Sequence, residues 1–379
     1  MKKVIHLSVD YPSPNKIENT KAVKNLVSEM HFCDNYVFAL TRTSNPFKIN
    51  EICCGNVVYM RFWGLPFGLF LIFSKLILSI RIFNYLRRKQ IKPDLIFAHK
   101  LCFEGISAFF LSYLLKIPFW VSVRGEADSK VVKLFYYKPL IRSIIKKSSH
   151  VFFVSAWFKP ILSRDFFLDH NKTSLLPNFV SQNNFKLSED FNSDTFLTIM
   201  DLNVYKKKGL INLLISFKYL IELGHNFSLD IIGRGSNQVL DDVRSLISFH
   251  NLSNNVTLIG ELSNSEVTDR LSSYSAMVLP SFNESFGMVY VESLLACVPI
   301  LCSNNSGIEG FVDWVEAKVS VDPNSVESIS EGLLYLSQNQ SKFREWLISH
   351  SNEVNCYFGP KLHVDSMIKL LCGVVYDER

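Results

Sequence analysis

Two glutamates set the chemical problem of this sequence. Glu284 and Glu292 lie eight residues apart in LPSFNESFGMVYVESLLACVPILCS, a stretch otherwise without charge. A carboxylate buried there without a partner costs on the order of several kcal/mol, so each needs a counter-charge, a hydrogen-bond donor or a ligand. Ser285, Phe286, Gly287 and Met288 follow the first glutamate directly. With a strand before them and a helix after them, backbone N–H groups would stand free at a helix N-terminus and suit hydroxyl or phosphate oxygens. Gly287 would let such a ligand approach the main chain closely. A purely structural reading stands beside this one. Ser281 to Glu284 has the spacing of a helix capping box, and Glu292 could pair with a buried lysine.

Two other stretches have chemical potential. KKKG, residues 206–209, follows an apolar run, and a lysine held there could neutralise a departing diphosphate; three lysines in a solvated loop is the alternative. IIGRGS, residues 231–236, ends another apolar run with two glycines. It is not a dinucleotide fingerprint, and a turn that merely closes a strand explains it equally well.

Short apolar runs alternate with helical patterns and must position these residues. Strands are expected at 4–8, 35–40, 94–98, 119–123, 150–154 and 173–176, then at 196–200, 228–232, 256–259, 276–279, 299–302 and 319–321. Helices are expected at 19–31, 66–90, 102–116 and 130–147, then at 209–223, 237–250, 264–272, 287–297 and 325–336, with two more in the tail. This rhythm predicts parallel sheets covered by helices on both faces. The fold class is therefore α/β, with two doubly wound domains at 1–180 and 181–360. A last helix over 361–379 is expected to pack back on the first domain. The polar, Asn- and Ser-rich segment 177–194 marks the boundary.

Composition narrows the class. At 379 residues with 48% hydrophobic and 20% charged side chains, the chain can build two sizeable cores. Its net charge of +5 hides an asymmetry: residues 1–180 hold 26 Lys and Arg against 11 Asp and Glu, whereas residues 181–379 hold 14 against 24. The first half is thus expected to meet an anionic surface. No nucleic-acid-binding motif accompanies the charge, which favours membrane over nucleic acid. Residues 61–89, RFWGLPFGLFLIFSKLILSIRIFNYLRRK, are too interrupted by Lys75 and Arg81 to span a bilayer. They suit an interfacial helix ending in Arg87-Arg88-Lys89, or else a buried crossover helix. Residues 130–147 mix Lys and Arg with Phe, Tyr, Leu and Ile in a second such segment, or an ordinary amphipathic helix. The eight cysteines show no CxxC or zinc spacing and read as free thiols of a reducing cytosol. The N-terminus reads as a first strand and not as a signal peptide.

Together, KKKGLINLLISF, LDIIGRGS, VTLIGEL and LPSFNESFGMVYVESLLACVPILCS resemble the nucleotide-binding half of glycosyltransferase family 4. PDLIFAHK, IPFWVSVRGEAD and LLPNFV match the family's first half more loosely. The resemblance implies a GT-B fold, two Rossmann-like domains facing a cleft, and retaining sugar transfer from a nucleotide-sugar. It implies that Glu284 touches donor-sugar hydroxyls, with Ser285 and the amides of Phe286, Gly287 and Met288 beside it. Glu292 would hold the ribose, Lys208 would stabilise the leaving diphosphate, and Gly233 would lie near the nucleotide. His99 and Arg124 are the candidate acceptor contacts.

Three departures accompany it. Asp201 or Asn203 stands where members carry an arginine, Arg124-Gly125 where many have His-Gly, and no paired glycines occur near the N-terminus. Nothing resembles a DxD motif, so metal-independent catalysis is expected and no cofactor. Breaking a sugar–phosphate bond builds negative charge on the diphosphate, which a lysine and helix amides would stabilise. No covalent nucleophile stands out, which points to front-face attack. The expected enzyme is a glycosyltransferase on the inner face of the cytoplasmic membrane. It would carry sugar from a UDP- or GDP-sugar to a lipid-linked or lipopolysaccharide-type glycan, as in O-antigen or capsule synthesis. The rival is a non-catalytic GT-B-like subunit serving a partner enzyme.

Overall fold

A computed structural model describes residues 1–13, 22–48, 50–65, 70–180, 192–373 of the chain. They form two compact units, one of Met1–Asn178 with the segment from Pro360 onward, the other of Phe179–Gly359. Part of the expected boundary, 181–191, lies outside the described residues.

The first unit runs β1 (Lys2–Ser8), α1 (Ala22–Glu29), β2 (Cys33–Thr43), β3 (Glu51–Cys54), β4 (Val57–Trp63), α2 (Leu71–Arg88), β5 (Leu95–Ala98), α3 (Glu104–Leu115), β6 (Phe119–Val123), α4 (Glu126–Val132), α5 (Lys138–Lys147), β7 (His150–Phe153), α6 (Phe158–Asp165) and β8 (Thr173–Leu175). Its sheet order is β3-β4-β2-β1-β5-β6-β7-β8, parallel except for the β3–β4 pair. Strands β5, β6 and β7 are buried at every position, as apolar runs covered on both faces must be. Leu7 of β1 stands in register with Phe38 of β2 and Ala98 of β5 at the centre of the core.

The second unit runs β9 (Asn192–Ile199), α7 (Leu210–Glu222), β10 (Ser228–Ile232), α8 (Asn237–Phe249), β11 (Val256–Gly260), α9 (Asn264–Leu271), β12 (Tyr274–Leu279), α10 (Met288–Leu295), β13 (Ile300–Ser303), β14 (Lys318–Val321), α11 (Val326–Ser349) and α12 (Ser351–Phe358). All neighbours are parallel, in the order β11-β10-β9-β12-β13-β14. Chain order reverses between β9 and β12, and a doubly wound sheet opens its ligand crevice at such a point. A final helix, α13 (Pro360–Cys372), belongs to the first unit, where it meets α1 and its Leu371 carbonyl accepts from Lys2 Nζ.

Three local expectations are corrected. The segment 61–89 is not one helix: its first three residues complete β4, which pairs with β2, and α2 starts at Leu71. The hairpin β3–β4, in a stretch where no element was expected, turns through Gly55-Asn56, with Gly55 at φ 58°. The helix expected over 130–147 is broken at Leu134, which is extended, and α5 restarts with Pro139 in its first turn, where the missing N–H does no harm. Helix α11 passes the expected end at 336 because Leu336, Phe343 and Leu347 keep one buried stripe behind an exposed polar run. No described helix is long and apolar enough to cross a membrane.

Candidate active site

The loops after β9 and β12 flank the point where chain order reverses, and they carry Lys208 and Glu284 respectively. Lys208 Nζ donates directly to Glu284 Oε2, and both side chains keep a minority of their surface in solvent. Sequence spacing had separated these residues by a long stretch of chain; the switch point joins them. The loops are also stitched through the backbone. Phe282 N–H donates to the Lys207 carbonyl at 3.1 Å, which also accepts from Ser281 Oγ at 3.5 Å. Ser281 is thus engaged elsewhere, and the N-cap of α10 is Gly287, so the capping-box reading of Ser281–Glu284 is wrong. Glu284 is pinned from the other side: its N–H donates to Ser306 Oγ at 2.8 Å and its carbonyl accepts from Gly307 N at 2.9 Å.

Glycine is dictated at Gly209, in the loop after β9, and at Gly233, in the turn after β10 that packs against it. Gly209 has φ 77°, and a Cβ there would lie 1.9 Å from the Pro280 carbonyl oxygen. Gly209→Ala is therefore expected to destabilise the protein by at least about 2 kcal/mol, a combined effect of left-handed strain and a backbone clash. Differential scanning calorimetry checks it, with a lower midpoint for the second unit as the expected result. Gly233 has no such dihedral, but a Cβ there would lie 1.9 Å from the Met200 carbonyl oxygen. The turn after β10 is held against the loop after β9, with Leu202 N–H donating to the Arg234 carbonyl at 2.8 Å.

At the open end of α10 there is no side-chain cap, and Gly287 at φ 84° lies directly over the Tyr290 ring. Phe286 is buried against Phe311, and Tyr290 anchors the helix by donating its hydroxyl to the Leu279 carbonyl at 2.7 Å. Tyr290 N–H donates to the Gly287 carbonyl at 3.1 Å, whereas the amides of Met288 and Val289 have no side-chain cap and have the positive end of the helix dipole behind them. Helix α7, with Gly209 as N-cap, likewise has no side-chain cap. One turn beyond Met288 on the same face stands Glu292. Burial raises its pKa above the ordinary carboxylate value, and among the described residues its carboxylate has neither hydrogen-bond nor ion-pair partner. The buried lysine considered above is not there.

Asp201 and Asn203, at the place of the family's arginine, are used structurally. Asp201 accepts from Asn203 N–H at 3.0 Å, and Asn203 Oδ1 accepts from Ser236 N–H at 3.0 Å. Arg234, which the sequence reading had passed over inside IIGRGS, brings a guanidinium to 4.0 Å from Asp201 Oδ2. Lys206 lies over the Tyr205 ring.

His99 and Arg124 belong to the first unit, at the carboxyl ends of β5 and β6. His99 is fully buried, 3.2 Å from His6 Nδ1 through its Nε2. Because His6 Nε2 faces Asn35 Oδ1 at 3.0 Å, it carries the proton there, and His99 Nε2 donates to His6. Burial holds both imidazoles neutral, pushing His6 down to about 4 and His99 well below its usual value. Arg124 reaches Asn178 Oδ1 at 3.4 Å, and its backbone N–H donates to Asp128 at 3.0 Å. The side chain of Glu126 lies outside the described residues. Around them stands a cluster that sequence reading missed. Lys100 Nζ pairs with Asp10 at 2.7 Å, and fully buried Glu104 accepts from Val9 N–H at 2.7 Å. Asp10 and Lys100 come together only because β1 and β5 are neighbours, which no local pattern reveals.

Residues 181–353 match the family model of glycosyl transferases group 1. The chain is 24% identical to an uncharacterized glycosyltransferase of Methanocaldococcus jannaschii, over 99% of this chain and 98% of that protein. It is 29% identical to a capsular polysaccharide biosynthesis glycosyltransferase of Staphylococcus aureus over 164 residues, 42% of each chain. Among solved structures, Anabaena HepE in complex with UDP matches with a TM-score of 0.73 at 12% identity, over 99% of this chain and 100% of that one.

Proposed function

We propose that this chain, whose fold is GT-B and whose residues 181–353 match the model of glycosyl transferases group 1, is a retaining glycosyltransferase of family 4 type. It moves a sugar from a UDP- or GDP-sugar to a lipid-linked or lipopolysaccharide-type glycan in surface polysaccharide synthesis, working peripherally on the inner face of the cytoplasmic membrane. One observation carries the donor side of this reading: an unpaired, largely buried carboxylate, Glu292, lies one turn behind the uncapped start of α10, next to a loop whose Glu284 is paired with Lys208. Ribose hydroxyls would give Glu292 the donors the protein withholds. The relatives support the class of substrate: HepE was solved with UDP, and the Staphylococcus protein is named for capsule synthesis.

In this mechanism the diphosphate takes Lys208 from Glu284, and the freed carboxylate accepts hydroxyl protons of the donor sugar in hydrogen bonds. The bond between the anomeric carbon and the phosphate oxygen breaks, its electron pair leaving with the diphosphate. The acceptor oxygen bonds to the same face of that carbon and passes its proton to the departing phosphate oxygen. The exchange of Lys208 from Glu284 to the diphosphate is completed on donor binding, so in the bound state Lys208 and the amides at the start of α10 stabilise the charge as it develops. This places the counter-charge on the protein and calls for no metal. Arg124, at the carboxyl end of β6, is assigned to the acceptor side.

Calorimetric titration of the purified protein with UDP, GDP and ADP, without added metal, tests the donor assignment. One nucleotide is expected to bind at least about tenfold more tightly than the other two, an advantage of about 1.4 kcal/mol. Binding of none of them would overturn it.

A further inference from the structure

Helix α2 buries Leu71, Leu78, Ile82 and Leu86 together with Ser74, Ser79 and Lys75, whose Nζ lies over the Phe62 ring, and it is apolar on much of the face it shows to solvent. Phe70, Phe73, Ile77 and Ile80 are 66%, 56%, 37% and 45% exposed, and the stripe continues at helical spacing into exposed Asn84 and Arg87. An outward helical face is normally polar, and a contiguous apolar ridge on one marks a contact surface. The same helix changes character toward its end. Arg81, Asn84, Arg87 and Arg88 line an open pocket of about 650 Å³, completed by Glu51 from β3. Arg88 is paired with Glu51 at 2.8 Å, and Arg81 donates to the Arg61 carbonyl at 2.7 Å. Arg87 lies against the Phe83 ring and has no carboxylate partner among the described residues. Three guanidiniums therefore share one carboxylate.

We propose that the outward face of α2 is a bilayer-docking surface: its first half enters the acyl boundary, and the arginine pocket of its second half takes the phosphate of an anionic phospholipid. The inference rests on the reading that the acceptor is carried in a membrane, and it names the surface that brings the enzyme there. A helix lying in the interface buries its apolar face to a depth of roughly 5–10 Å, which leaves a neighbouring pocket at phosphate level. A second copy of the chain fits poorly. A two-fold contact along α2 would set arginines against arginines if the helices ran parallel, and against Phe70 and Phe73 if antiparallel.

Sedimentation of the full chain with vesicles tests the proposal, comparing pure phosphatidylcholine with phosphatidylcholine containing phosphatidylglycerol. The wild type is expected to partition at least about tenfold better to the anionic vesicles, with attraction that fades as salt is added. Phe73→Ser with Ile80→Ser should lower that partition by about tenfold or more, since two exposed apolar anchors are lost. Arg87→Glu should lower it by about fivefold or more. All three positions are exposed, and circular dichroism spectra and thermal melts that match wild type certify the fold of the variants. Variant partition equal to wild type would overturn the proposal. So would a dimer that the variants dissociate with vesicle binding unaltered, or thermal stabilisation by inorganic phosphate without vesicle binding. The donor titration reads a different unit of the protein, so loss of nucleotide binding sinks the proposed chemistry and leaves this surface standing, and the reverse also holds.

Discussion

Lys208→Ala is expected to lower kcat by about 10²- to 10³-fold, the size seen when one preorganised group facing developing charge is removed. The structure adds a complication that makes the test sharper. Lys208 is also the counter-charge of Glu284, so its removal leaves a half-buried carboxylate alone and should cost about 1 kcal/mol of stability. The double variant Lys208→Ala/Glu284→Gln removes that penalty. Its thermal midpoint should return toward wild type while turnover stays at or below the single variant. If turnover recovers along with the midpoint, the lysine is structural. Steady-state kinetics beside a thermal melt of the three proteins gives the answer.

Glu292→Gln should weaken nucleotide binding by roughly 10- to 100-fold, the loss of one charge-assisted hydrogen bond of about 1.5–3 kcal/mol. Its effect on the free protein runs the other way. Burial raises the folded-state pKa of Glu292 above its ordinary 4.5, so the carboxylate ionises more readily in the unfolded chain. Below pH 4.5 the group is neutral in both states and contributes nothing. As pH rises from 4.5 through the higher folded-state value, the wild type loses stability, and above that value the loss stays constant. Glutamine has no such loss. Unfolding by urea across this window should therefore show the free variant equal to wild type at the acid end and more stable at neutral pH. Saturating nucleotide should close the gap or reverse it. A variant that binds like wild type would detach Glu292 from the nucleotide.

The donor half was the more legible part of the sequence because its signals are local. Its central strands carry compact apolar stretches, and the segments carrying Lys208 and Glu284 follow two of them. What the residues alone left open was which of their alternatives held. Only strand order puts β9 beside β12, and only that adjacency turns two separate loops into one ion pair. The same limit hid Asp10, Lys100 and Glu104, which come from different elements of the first unit. The misplaced boundary before α2 had another cause. The helix expected at 66–90 holds as α2, but the longer apolar segment 61–89 took in the last three residues of β4, and the short hairpin before it, turning at Gly55-Asn56, matched no expected element. Boundaries failed where apolar character ran across two elements, and also at α11, where a polar run hid a continuing buried stripe.

The close approach of Gly209 to Pro280, and of Gly233 to Met200, has a consequence for large-scale mutagenesis. In a saturation screen scored by lost transferase activity, every substitution at these two glycines should register as severely as loss of Lys208, without either glycine having to touch a substrate. Cellular abundance would separate them: Gly209 and Gly233 variants should be depleted by quality control, whereas Lys208 variants should accumulate as inactive protein. Mapping activity and abundance together would divide this loop pair into residues kept for chemistry and residues kept for room.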